Sequence, residues 1–388
     1  MHRFLTLLLS ATLLALPQSL CGQQYIFTND NVQDDFGNNT TTAYKIGPNG
    51  KLAYLASYTT NGLGSSGEYY AAVGVLAVRT PSHECLFVSD GYSLDVAAFT
   101  MRLADGSLTP AVGSPFPLGG YDLRVPPANQ SKLPTAEIGL AVAQKGKTTL
   151  LFAGDSVSRT ISVLKVGFKC SLKLENTYTV KGAPEALKTT PNGKYLISSL
   201  LGQVDSFRID YRHSALLELG PFPAKGAAAG LDITCDGTRA YFGDLSGPTQ
   251  VEVFQISPKG KLGQIQFFAD DHGENSYNVL LSPDEKVLYV SNTQSGQITV
   301  LQVGADGKVS YSGIADLKSP GAYTQNMVTT ADGKYLFVAE ENTPDQIGVL
   351  RANGTSLKEI GQSPVLEPPN DYPATPFTLT SVPGKSCR

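Results

Sequence analysis

The sequence predicts an all-β ring of seven four-stranded blades, a β-propeller, and three observations lead there. A unit made of a polar turn and an apolar strand recurs six times at a nearly constant interval. Beyond the first 16 residues, apolar positions alternate along short segments and helical spacing is nearly absent. Glycine and proline, 39 and 24 of 388 residues, punctuate almost every turn, as many short strands require.

The repeat is plainest near the C-terminus. SPDEKVLYVSN (282–292) and TADGKYLFVAE (330–340) each run from a turn through an apolar strand to an acid or amide. The same unit reads as TPNGKYLISS (190–199), TCDGTRAYFGD (234–244), AQKGKTTLLFAGD (143–155) and TPSHECLFVSD (80–90). Comparable strands begin at Leu150, Tyr195, Ala240, Val287 and Tyr335, steps of about 45 residues, the length of one propeller blade. Before each turn lies one apolar strand, such as NVLLS (278–282). After the unit come an alternating strand such as QITVLQV (297–303), an ADGK-type turn and a last strand. That order, A to D from the axis outward, makes a blade.

The first blade begins at QYIFTND (24–30), a strand of type B, followed by C and D in 41–59, and lacks its strand A. The last residues supply one: ATPFTLTSV (374–382) matches an A strand. Pairing the two ends closes the ring and removes a free sheet edge. One domain therefore spans 22–388, with seven blades. Insertions at 60–67 and 119–134 lengthen two blade-to-blade connections, the kind of loop that carries function on a repeat scaffold.

Residues 1–21 read as a signal peptide, with Arg3 before a 13-residue apolar run (4–16) and small residues Ser19 and Cys21 before Gly22. Secretion or delivery to a periplasm is expected, and no later stretch is apolar for long enough to span a membrane. Four cysteines then remain, Cys85, Cys170, Cys235 and Cys387, and an exported chain can pair them in any of three ways. Neither a CxxC nor a Cys/His zinc spacing occurs. With 30 Lys plus Arg against 34 Asp plus Glu and no basic run, nucleic acid is excluded as a partner. The closed ring is expected to be a monomer.

The units P-x-x-L-x-x-(S/T)-P-(D/N)-G-K-x-L-(Y/F)-V, each followed by a short strand and a DG turn, resemble those of the seven-bladed lactonase propellers. That family includes bacterial 6-phosphogluconolactonases and fungal muconate-lactonising enzymes. The resemblance covers residues 24–386 and implies a lactone hydrolase acting at one end of the central channel. The family's enzymes carry His and Arg at the start of A strands, in C-H-S and P-R-H motifs. Here Ala183-Pro184-Glu185 and Tyr277-Asn278 stand at comparable places and neither motif occurs, so the family's chemistry does not transfer residue by residue.

Blade offsets nominate the site from this chain's own residues. Glu185, Asn278 and Asn326 start A strands, with Glu137 and residues 68–70 at matching places in blades 3 and 2. They either bind one ligand or line a hydrated channel. The oxygens of Glu185, Asn278 and Asn326 also suit Ca2+, a set resembling that of the separate gluconolactonase and paraoxonase propellers. His272, within Asp270-Asp271-His272-Gly273-Glu274 of the blade 5 to 6 connection, is the only histidine expected on this face. It is a candidate general base, with Glu185 as the other. Lys181, Lys225 and Lys318 in D-to-A loops, and Arg124 and Lys132 in the long insertion, would suit a carboxylate or phosphate on a sugar-acid ligand. The acids and amides closing strand B (Asp30, Asp90, Asp155, Asn292, Glu340) recur blade after blade, which fits turn hydrogen bonding better than one asymmetric site.

Two motif matches carry no weight. The GxGxxG of 62–67 follows no βαβ pattern, and the SxxK of 162–165 lies in an alternating strand. Two functions remain: a funnel that binds a small polar or sugar-acid molecule and opens a lactone ring, or a secreted scaffold that holds a protein partner without catalysis.

Overall fold

A computed structural model describes residues 23–32, 38–64, 74–119, 138–200, 202–226, 228–319, 323–341, 345–366, 378–385 and 387. They form seven antiparallel sheets, each ordered from an inner to an outer strand, with a short extra strand in blades 2 and 7. The inner strands of blades 2 to 7 are Val75–Arg79, Ile138–Lys145, Ala186–Thr189, Ala228–Ile233, Ser276–Leu281 and Tyr323–Thr329.

Ring closure is as the termini predict. Thr378–Val382 is the inner strand of blade 1 and pairs with Gln24–Asn29, from Tyr25 opposite Val382 to Asn29 opposite Thr378. Residues 374–377, counted into that strand from the sequence, lie outside the described residues. So do the signal segment and most of both insertions.

Alternation explains why blades stack. Each strand shows one face to each neighbouring blade, and the described apolar side chains form seven clusters, one between each neighbouring pair. The closing pair is no weaker in kind: Ile26, Tyr44 and Leu379 of blade 1 pack on Phe337, Ile347 and Val349 of blade 7. Truncating a buried aromatic such as Phe337 to alanine would cost about 3–5 kcal/mol.

Glycine in the turns between the third and fourth strands has a packing role. At Gly106 and Gly260 φ is +75° and +78°, and a Cβ would overlap the rings of Tyr25 and Tyr195 from the blade before. The Tyr195 hydroxyl then donates to the Pro258 carbonyl at 2.9 Å. One turn residue thus serves its own hairpin and the neighbouring blade.

The four cysteines form two disulfides. Cys85–Cys170 ties blade 2 to blade 3, and Cys235–Cys387 ties the turn after the inner strand of blade 5 to the C-terminal tail.

Candidate functional site

Inner strands start, and second strands end, on the face called upper here. Three of the inner strands are irregular there. In blade 5 Ala228 faces Asp244 but Leu231 faces Phe242; in blade 6 Ser276 faces Asn292 but Val279 faces Val290; in blade 7 Thr324 faces Glu340 but Met327 faces Val338. Each inner strand therefore carries one extra residue, a β-bulge that turns side chains out of the regular alternation. Asn278 and Asn326 occupy equivalent bulge positions, and Gly230 is the corresponding residue of blade 5. Blade 4 has no bulge: Ala186 and Leu187 face Ser199 and Ser198 in step.

Glu185 immediately precedes that regular strand. Its backbone N–H donates to the Ser199 carbonyl at 3.1 Å, and the residue is 2% exposed. The side-chain Oε2 is buried without a hydrogen-bond partner. Burial without compensating donors pushes its pKa up to about 8, so a proton stays on this carboxyl at neutral pH.

Asn278 and Asn326 are also buried. The Oδ1 of Asn326 accepts the backbone N–H of Leu379 at 2.9 Å, fastening blade 7 to the closing strand. Asn278 is held through its backbone, whose N–H donates to Ser291 Oγ at 2.9 Å. The two amides thus lie on neighbouring blades, while Glu185 lies beyond blade 5. Glu137 and Arg124 lie outside the described residues, as do Lys132 and residues 68–70.

The lysines divide. Lys225 Nζ sits over the Phe267 ring, 4.4 Å from its centroid, on the outer strand of blade 5 (Leu262–Glu274). Lys318 Nζ donates to the carbonyls of Ile360 and Ser363 at the outer part of blade 7. Both ammonium groups are drawn outward by partners on the outer part of the blade that follows. Lys181 remains exposed, and its charge acts on Asp205.

His272 is placed differently from the expected loop. Outer strand Leu262–Glu274 continues through it, with Pro248 facing Glu274 and Gln250 facing Ala269, so residues 270–273 bulge opposite Thr249. The imidazole stacks on Tyr311 of the blade 6 outer strand at 4.5 Å and 15°, and Nδ1 contacts Asp270 Oδ1. This is the rim of the ring, where Asp270, Asp271 and His272 form a small polar cluster. The hydrogen bond that the ring donates to the Asp270 carboxylate is the chief cause that raises the imidazole pKa.

The blade repeat does not single out two buried carboxyls, Asp205 and Glu252. Asp205 in the third strand of blade 4 is buried, and its pKa rises to about 7, mainly through desolvation. Glu252, at the matching place in blade 5, accepts the backbone N–H groups of Lys225 and Gly226 at 2.9 and 3.2 Å, bracing the connection from blade 4. Blade 7 has Gly348 there, and Glu340 of the second strand fills the space, where a Cβ would overlap its Oε1. Glu340 is pushed up to about 8 by burial and by the charge of Glu359. Aligning Gln203-Val204-Asp205, Gln250-Val251-Glu252, Gln297-Ile298-Thr299 and Gln346-Ile347-Gly348 would have found the position. The recurrent strand-end acids divide: Asp155 is a turn cap, its Oδ1 accepting N–H groups from Val157 and Ser158 at 3.0 and 3.1 Å, whereas Asp30 accepts the hydroxyls of Thr40 and Thr42, and Asp90 accepts from Asn39 and Thr60.

Comparison with known proteins adds a family match over part of the chain and a fold over most of it. Residues 231–370 match the family described as lactonase, 7-bladed beta-propeller. No curated protein sequence matches the chain. Among solved structures, a provisional 6-phosphogluconolactonase of Bacteroides fragilis superposes with a TM-score of 0.71 at 19% identity, covering 94% of this chain and 99% of its own. The periplasmic gluconolactonase PpgL of Pseudomonas aeruginosa gives 0.70 at 17%, covering 92% and 99%. The likeness to the seven-bladed lactonase propellers therefore holds in sequence over 231–370 and in fold over nearly the whole ring.

Proposed function

We propose that this chain is an exported lactonase-like propeller that binds a small polar or sugar-acid compound at the upper mouth of its channel and opens a lactone ring there. The observation that carries the reading is Glu185, a carboxyl with one buried, unpaired oxygen and a pKa near 8 at the upper start of an inner strand. Such a group is expensive to keep in a fold and is suited to proton transfer near neutrality.

In this reading the Glu185 carboxylate takes a proton from water as the oxygen attacks the lactone carbonyl. The protonated acid then returns the proton to the departing ring oxygen. Asn278 and Asn326 would orient ligand hydroxyls, with Lys181 offering charge to a carboxylate or phosphate, and Glu137 and Arg124 completing the set from the neighbouring connection. Lys225 and Lys318 would contribute backbone position more than charge. His272 remains the other candidate base, from the rim. Export rests on the N-terminal segment; among the described residues no helix is long and apolar enough to cross a membrane.

A panel of sugar lactones tests this. Turnover should rise with pH toward about 8 and fall roughly 100-fold or more in Glu185→Gln, as for a positioned base. Loss in His272→Ala instead would move the chemistry to the rim. No turnover by the intact protein would favour the non-catalytic scaffold, to which the missing C-H-S and P-R-H motifs point.

The unpaired Glu185 oxygen also supports a second reading, Ca2+ held by Glu185, Asn278 and Asn326. The fit is limited: Ca2+ takes six to eight oxygens, and the Asn326 oxygen already accepts Leu379 N–H. A melting scan with and without chelator decides it, since a bound ion stabilises by mass action.

A further inference from the structure

The C-terminal tail does something no blade requires. Val382 ends the inner strand of blade 1 at the lower face, where it pairs with Tyr25 at the start of the next strand. A few residues on, Lys385 Nζ lies 2.9 Å from Glu285, in the turn after the inner strand of blade 6. Cys387 is then bonded to Cys235, in the equivalent turn of blade 5. Blade 5 lies three places from blade 1 in a ring of seven, as far as the ring allows. The chain from Val382 to Cys387 spans at most about 18 Å, so it must run as a chord beneath the channel.

What it runs past is charged and buried. Asp232, on the inner strand of blade 5, is 1% exposed and accepts the Leu281 N–H of blade 6 at 2.8 Å. Lys188 of blade 4 pairs with it at 2.6 Å. Burial alone would raise the Asp232 pKa, but Lys188 and then Lys385 outweigh it and hold the carboxyl low. The charge of the tail's Lys385 thus acts on a buried acid of the inner strand of blade 5. Pro383 and Gly384, with Met101, Leu103, Val78 and Arg79, line a cavity of about 390 Å³ on the blade 2 side.

The two disulfides differ in access. Cys85 and Cys170 are both fully buried. Cys387 is exposed and Cys235 partly so. Thiol exchange needs a thiolate to reach a disulfide sulfur, so the tail bond is the reducible one.

We propose that the C-terminal tail is a redox-latched floor of the central channel. With Cys235–Cys387 oxidised, the lower mouth is closed and the channel is a cup open on the upper face. A dithiol reductant breaks the S–S bond, delivering two electrons and two protons, and becomes a disulfide itself. Cys235 and Cys387 become thiols, the floor is released and the channel opens at both ends. This inference is independent of what the upper mouth binds.

Brief dithiothreitol treatment, alkylation with iodoacetamide and peptide mapping test the latch. Label should enter Cys235 and Cys387 at least tenfold faster than Cys85 and Cys170. Hydrogen exchange on the same sample should quicken tenfold or more at Leu281 and at residues 231–235, with Ser276 at the upper end of the same blade 6 strand unchanged. Cys387→Ser, which keeps the closing strand, should show that pattern without reductant. Equal labelling of both disulfides would overturn the proposal. So would unchanged exchange at Leu281 in the selectively reduced wild-type protein, a result that stands whether or not the variant folds.

Discussion

At the lower face, Asp236, Asp284 and Asp332 sit in the turns between first and second strands. Each accepts a hydroxyl, from Thr234, Ser282 and Thr330 at 2.6–2.7 Å, and a backbone N–H. These donors outweigh burial and lower all three pKa values. At the upper face, Glu185 and Glu340 are more deeply buried, each with an oxygen that finds no donor, and both are pushed up to about 8. The same residue class is a satisfied turn cap at one end of the ring and a desolvated acid at the other. Turn chemistry explains the first, and folding alone does not explain the second.

The largest effect on this contrast should come from opening the ring. Removing residues 374–388 takes away the inner strand of blade 1, the Leu379 side chain of its cluster with blade 7 and the tail disulfide together. Loss of the cooperative thermal transition, with aggregation through the exposed sheet edge, is expected. Unchanged melting would refute the closure.

A smaller effect is expected at the lower channel. Lys188→Ala leaves Asp232 buried with Lys385 as its remaining cation, and should cost about 1–2 kcal/mol. That is less than the 3–5 of a fully buried pair because Lys188 is partly solvated. Urea unfolding at pH 7 measures it. The loss should shrink in acid: the depressed folded pKa of Asp232 means its contribution fades as pH falls through that value.

A third effect has the opposite sign and grows with pH. Between about 4.5, where an unfolded glutamate titrates, and about 8, native Glu340 holds a proton that the unfolded chain has lost, so stability falls as pH rises. Glu340→Gln removes that loss. The variant should gain on the wild type progressively from pH 5 to 8.5, by up to a few kcal/mol at about 1.4 per pH unit. Paired denaturation curves across that range check it, and a constant difference would mean that Glu340 is ionised throughout.

How much of this could be read from sequence follows from what the turns demand. The T-x-D-G-K segments were legible because hydroxyl, acid and glycine each meet a fixed requirement of one turn, and the missing first strand announced the closure. Cysteine pairing was not legible, since only ring geometry brings Cys387 beneath blade 5. The upper site was half legible: equivalence between blades located Glu185, Asn278 and Asn326, but a single extra residue in each of the inner strands of blades 6 and 7 decides how the Asn278 and Asn326 side chains turn. Lys225 and Lys318 show the limit of offset arguments. Their positions repeat as expected, yet Phe267 and the carbonyls of Ile360 and Ser363 draw the ammonium groups away. His272 lies in a strand and not a loop, and nothing in Asp270-Asp271-His272 signals that the outer strand runs on through it.

The protonation of Glu185 is the most direct test of the contrast between the two mouths. A difference infrared titration of wild type against Glu185→Gln isolates its carboxyl stretch. The account predicts a protonated band at pH 7 that disappears with a midpoint near 8. A midpoint near 4.5 would show an ordinary solvated or paired carboxylate and would contradict it.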